Sequence, residues 1–128
     1  MKCFIDSDIL IWHLRGNQNA RQFIERLITD VDAELMVGAM QRAEVVFFMR
    51  DNEVASTLSF LSLFKTHSVN QSIVDLAGKY YRKWFPSHGI DPNDAILAAT
   101  AALYGGHIYT QNISHYPMKD IIVHRGWR

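Results

Sequence analysis

Cysteine is nearly absent from this chain: Cys3 is the only one in 128 residues, so no internal disulfide can staple it. A lone thiol in an apolar run fits a reducing compartment and excludes a secreted, cross-linked scaffold. No stretch approaches the roughly 20 apolar residues that span a bilayer. One lysine followed by Phe4-Ile5-Asp6 leaves no room for a signal h-region. A soluble cytoplasmic protein with no membrane partner is therefore expected. An excess of either charge is missing too: thirteen basic and thirteen acidic residues cancel, with a net charge of +0. Overall charge gives no support for nucleic-acid binding, and any such surface must be a local patch. Phosphate-cradling GxxxxGK[ST] and GxGxxG loops are absent, as is a GxSxG elbow. None of His13, His67, His88, His107, His115 and His124 stands in an HxxxH or HExxH arrangement, which argues against a zinc site.

What is present describes an ordinary globular domain, 48% hydrophobic and 20% charged. A chain of this length buries roughly two-thirds of its unfolded surface, enough for one core. Lys2 to Asp6 reads as a strand ending in an acid. Asp8 then caps a helix from Ile9 to Arg15 that Gly16-Asn17 stops. Asn19 to Thr29 is a second helix with Phe23, Leu27 and Ile28 on its apolar side, and Glu34 to Val37 a second strand closed by Gly38. Met40–Asp51 and Val54–Phe64 form a strongly apolar helical pair in which Leu58, Leu61 and Phe64 read as core. His67-Ser68-Val69 is a short strand. Ser72 to Phe85 is a helix ended by Pro86, and Asn93 to Tyr104 one opened by Asp91-Pro92 and stopped by Gly105-Gly106. His107–Thr110 and Ile121–Val123 complete the strands. No internal repeat, low-complexity tract or linker interrupts the pattern. Strands alternating with helices predict one α/β domain over residues 1–128, with a central parallel sheet of 4–5 strands flanked by helices.

Ligands of open parallel sheets bind beyond the carboxyl ends of the strands. Asp6 and Thr110 fall at such ends, and Asp94 lies in the first turn of a helix, so the three are expected at one edge. Glu44, on a helix, has Met40, Phe47 and Phe48 as its i−4, i+3 and i+4 neighbours. A carboxylate in an apolar stripe is costly unless a cation or hydrogen bonds compensate it. An ion pair with Arg42 or Arg50 would also explain it. Asp91-Pro92-Asn93-Asp94 reads equally as N-cap, Pro at N1 and an acid at N3, good helix-start chemistry without any ligand.

Four segments in order resemble the PIN (PilT N-terminus) domain family, its VapC-type toxins above all. They are Phe4-Ile5-Asp6-Ser7-Asp8-Ile9-Leu10-Ile11 with Leu14-Arg15-Gly16-Asn17, then Ala43-Glu44-Val45. Asp94-Ala95-Ile96-Leu97-Ala98-Ala99-Thr100-Ala101 is the most specific, and Thr110-Gln111-Asn112-Ile113-Ser114-His115-Tyr116 is similar to the family's Thr-x-Asn-x-x-Asp-Phe. The resemblance runs from residue 4 to about 118. It implies a ribonuclease using Mg²⁺ or Mn²⁺ held by Asp6, Glu44 and Asp94. It also implies an RNA substrate such as tRNA, a cognate antitoxin that covers the site, and a homodimer. The family's fourth acid falls on His115, a departure that puts the number of metals in doubt; Asp8 and Asp91 are close enough in sequence to replace it. Asn112, with Thr110 or Ser7, could orient carboxylates or water, and His115 could donate a proton or contact phosphate, or serve only as a hydrogen-bonded loop residue. By charge alone, Arg15, Arg42, Arg50, Lys79, Arg82, Lys83, Arg125 and Arg128 are candidate phosphate contacts. The apolar segment Val45–Phe64 could serve the antitoxin or dimer interface. Two rival readings remain. One is a haloacid-dehalogenase-like phosphatase, from Asp6-Ser7-Asp8 after a strand. The other is a PIN fold that lost catalysis at His115 and only binds RNA or a partner.

Overall fold

The computed structural model describes residues 1–128. Its first strand, β1 (Lys2–Ile5), is a continuous apolar run because both of its faces are covered. Successive side chains point to opposite faces. Phe4 accordingly enters one core cluster, with Met36 and Ile108, while Cys3 and Ile5 enter the other, with Val37. Five parallel strands form one sheet in the order β3-β2-β1-β4-β5, where β2 is Glu34–Gly38, β3 Lys65–His67, β4 His107–Tyr109 and β5 Ile122–His124. Cys3 lies in register with Leu35 on one side and His107 on the other.

Helices α1 (Ser7–Leu14), α2 (Gln18–Thr29) and α4 (Val54–Leu61) supply Ile9, Leu10, Phe23, Ile24 and Leu61 to one face. Helices α5 (Gln71–His88) and α6 (Pro92–Tyr104) supply Ile73, Ala77, Leu97 and Ala98 to the other. Helix α3 (Ala39–Val46) follows β2 directly. From β1 the chain winds outward through β2 and β3, then returns to build β4 and β5 on the opposite side. The order therefore reverses between β1 and β4, and a crevice opens beyond their carboxyl ends. Asp6 and Thr110 are the first residues past those two ends.

Several expected boundaries move. Helix α1 begins at Ser7, and its N-cap is Asp6, not Asp8. Asp6 stands one residue past the strand, where extended backbone lets its carboxylate accept the Ser7 N–H. Asn17, read as a stop, caps α2 by accepting the Ala20 N–H at 3.0 Å. Helix α3 ends at Val46, well before Asp51, and a 3₁₀ turn at Asp51–Glu53 leads into α4. Phe47 and Phe48 consequently lie outside the helix, 78% and 84% exposed, and Leu58 is exposed while Leu61 and Phe64 are buried. The apolar stripe expected around Glu44 does not form. Strand β3 sits two residues earlier than expected, and α5 runs through Pro86 to His88. A proline so near a helix end removes only one hydrogen bond, and Gly89 in the left-handed region (φ 58°) makes the stop.

Candidate active site

Asp6 and Asp94 are 4% and 8% exposed, although they arrive from opposite ends of the chain. Asp6 is brought by the turn from β1 into α1. Asp94 comes from the first turn of α6, which Asp91 caps by accepting the Asn93 N–H at 2.7 Å. The Tyr116 hydroxyl joins them, 2.8 Å from Asp6 Oδ2 and 3.2 Å from Asp94 Oδ1. His115 Nδ1 pairs with the other Asp94 oxygen at 2.9 Å and is 42% exposed. Glu44, on α3, lies near enough to Asp94 and Asp91 to feel their charge, and its Oε1 is buried and has no hydrogen-bond partner. No ion pair explains it, because the Arg50 guanidinium pairs with Glu53 at 3.7 Å. Gln41, fully buried one helical turn before Glu44, donates from Nε2 to the Asn93 carbonyl at 3.2 Å. That bond ties α3 to the start of α6.

Gathering carboxylates out of water disfavours their ionised forms. Burial first, then Asp94 and Asp8, raise the Asp6 pKa to about 7, partly offset by the hydrogen bonds from Tyr116 and Ser7. Burial also raises Asp94, against the opposing effect of His115. Glu44 is raised by burial and then by Asp94 and Asp91, with the Ser7 side chain opposing.

The expected residues do not all converge. Asp8 spends Oδ1 on the Ile9 N–H and Oδ2 on the Gln111 N–H and the Thr110 hydroxyl, latching α1 to the loop after β4. Asp91 is an exposed cap. Neither shares a hydrogen bond with the Tyr116-bridged pair, although the charge of Asp8 raises Asp6 and that of Asp91 raises Asp94. Asn112 has an exposed side chain that forms no hydrogen bond; its backbone N–H donates to Thr110 Oγ1 at 3.0 Å and its carbonyl accepts from His115. Of the basic residues, Arg15 and Arg50 line the same cavity as Glu44, about 540 Å³ in volume and walled also by Ile11, Val45 and Phe48. Tyr116 and Gln41 were missed from sequence. The first carried a signal, a tyrosine where the resembling pattern has phenylalanine; a glutamine on a helix carried none.

A family model for the PIN domain matches residues 3–116. The chain belongs to the PIN domain family. Ribonuclease VapC19 of Mycobacterium tuberculosis is 32% identical to it over 115 residues, covering 89% of this chain and 91% of the relative. Ribonuclease VapC10 of the same organism is also 32% identical, over 89% of this chain and 85% of its own length. The PIN fold aligns with a chain of VapBC2 from Rickettsia felis bound to promoter DNA at a TM-score of 0.78, with 19% identity and 100% coverage of both chains. A chain of VapBC-1 from nontypeable Haemophilus influenzae gives a TM-score of 0.80 at 17% identity, with 98% of each chain covered. Membership in the PIN family sets aside the phosphatase alternative, whose second acid, Asp8, is in any case committed to backbone N–H groups and Thr110.

As to whether this PIN site suits a divalent ion, no three His, Cys, Asp or Glu side chains stand close enough together to hold one as they lie. The facing donors are all carboxylate oxygens, and one of them is orphaned. Mg²⁺ takes one or two carboxylates and keeps several waters, so an open set of oxygen donors fits it and a tight chelate is not required.

Proposed function

We propose that this PIN-domain protein is a Mg²⁺- or Mn²⁺-dependent endoribonuclease, the toxin of a toxin–antitoxin pair acting in the cytoplasm. The reading rests on the facing of Asp6 and Asp94 at the carboxyl edge of the sheet, with Glu44 Oε1 buried and unpartnered beside them. Asp6 and Asp94 would hold the cation directly, and Glu44 directly or through water. When bound, it supplies neutralisation of phosphate charge and acidification of water for in-line attack. The chain's own residues do the rest. His115, with Nδ1 on Asp94, fixes the orientation of that carboxylate. Its Nε2 carries no hydrogen bond and is free to meet a phosphate or a leaving oxygen. Arg15 and Arg50 flank the Glu44 cavity and can neutralise adjoining backbone phosphates of an RNA strand. The named relatives are VapC ribonucleases and the structural neighbours are VapBC complexes, which supports RNA as substrate; structured RNA such as tRNA is the substrate class we propose. The same likeness also supports an antitoxin as partner. The cavity runs from Glu44 to the exposed Phe48, so a protein seated there would cover Glu44. A homodimer is the proposed assembly.

Cleavage of total tRNA with Mn²⁺ or Mg²⁺ tests this. Asp94→Asn preserves shape and leaves the Asp91 cap of α6 in place but removes a ligand charge, so it should abolish cleavage while circular dichroism stays unchanged. His115→Ala should be milder, within about tenfold; a loss of about 10²–10⁴-fold would give His115 a proton-transfer role. If the wild type cleaves none of a panel of RNAs with either metal, the nuclease reading falls and a PIN fold that only binds RNA or a partner replaces it. The specific observation favouring that second reading is His115 in place of a fourth acid.

A further inference from the structure

Tyr116 is buried in the core that α5 and α6 share, and its ring is held by the 3₁₀ turn Ile113–His115 through the Tyr116 N–H to the Ile113 carbonyl at 2.9 Å. Its hydroxyl does not face solvent or a backbone carbonyl. It stands between the two carboxylates expected to hold a cation, 2.8 Å from one and 3.2 Å from the other. A cation held by Asp6 and Asp94 would call on carboxylate oxygens that the hydroxyl now occupies. Hydroxyl and cation therefore claim the same wedge. One hydroxyl proton cannot serve two acceptors fully, yet a donor between buried carboxylates is worth more than an ordinary hydrogen bond, because the alternative is charge with no partner. Whatever stabilises the empty pocket more than the filled one lowers cation affinity.

We infer that Tyr116 is a positioning residue that sets the divalent-cation affinity of the Asp6–Asp94 pair, its hydroxyl spacing the two carboxylates when the cation is away and competing with it on entry. The inference rests on the metal-dependent reading of the site. Substituting phenylalanine keeps the ring and the core contacts and removes only the competitor.

The experiment is Mn²⁺ titration by calorimetry, with melting curves in EDTA and in Mn²⁺, on wild type and Tyr116→Phe, without RNA. The expected result for Tyr116→Phe is a lower melting temperature in EDTA, a larger rise on adding Mn²⁺, and a Kd tightened by about five- to tenfold. An unchanged Kd reduces the hydroxyl to core filling and overturns the inference. A weakened Kd overturns it as well, making the hydroxyl a support for the filled site. Should Mn²⁺ bind neither protein, the metal reading itself fails and takes this one with it. If Tyr116→Phe does not fold, the wild type labelled with 3-fluorotyrosine reports instead. Its Tyr116 resonance, assigned by elimination with variants of the other four tyrosines, should shift on Mg²⁺ binding as the hydroxyl loses a carboxylate. A resonance that does not move overturns the inference.

Discussion

At Asp6 a helix cap and a proposed ligand position coincide, and the cap uses only one of the two oxygens. Oδ1 accepts the Ser7 N–H, while Oδ2 meets Tyr116. Asparagine can still cap, so Asp6→Asn isolates the charge. The folded pKa, about 7, lies above the ordinary carboxylate value of 3.8. The sign is that of a raised acid: its contribution is most favourable below the unfolded value and is lost as pH rises through the folded one. In EDTA at pH 8 the wild type therefore folds against a buried charge that the Ser7 and Tyr116 hydrogen bonds only partly offset. Asp6→Asn should melt several degrees higher than wild type under those conditions, and should lose most of the stabilisation by Mn²⁺. Differential scanning fluorimetry in EDTA and in Mn²⁺ checks both. A variant that melts lower in EDTA would show that Asp6 stabilises the empty domain.

Among the elements, the α6-to-β4 connection carries the tightest backbone requirement. Gly106 has φ +112°, and a Cβ there would meet Lys2 Cβ at 2.8 Å and the Lys2 carbonyl oxygen at 2.9 Å. That close approach lets β4 lie beside β1, which places the loop carrying Thr110, His115 and Tyr116 against Asp6. Gly106→Ala combines a disfavoured backbone with a steric conflict against main chain, so a loss of at least about 2 kcal/mol is expected. Urea denaturation measures it; a midpoint unchanged from wild type would mean that the connection relaxes freely. At the same scale, the apolar stripe that makes Glu44 conspicuous in the sequence does not exist in the fold. The expected neighbours Phe47 and Phe48 leave the helix, yet the orphaned oxygen is real, because Gln41 holds α3 against the start of α6. A helix periodicity extended past its true end at Val46 cannot reveal that.

For the whole molecule, net charge is zero, so no overall field should draw cations to the fold. Divalent ions should act at one pocket or not at all. At Mn²⁺ concentrations about a hundred times Kd, preferential binding adds about 2.7 kcal/mol, which for a domain of this size raises Tm by about 10 °C. KCl at matched ionic strength should leave Tm unchanged within a degree or two. Equal effects of the two salts would mean general screening and no cation site.

The sequence by itself determined the α/β class, the all-parallel sheet and the places where chain meets crevice, because hydrophobic period and capping chemistry are local. It also pointed to Asp6, Glu44 and Asp94 through ordered segments that resemble one family. Tertiary structure alone decided the rest. It gave Asp8 to the loop after β4, left Asn112 without a side-chain partner, and set Tyr116 between Asp6 and Asp94, residues 110 and 22 positions away. Which hydroxyl meets which carboxylate depends on packing across the sheet, and no periodicity within a segment encodes a contact between segments.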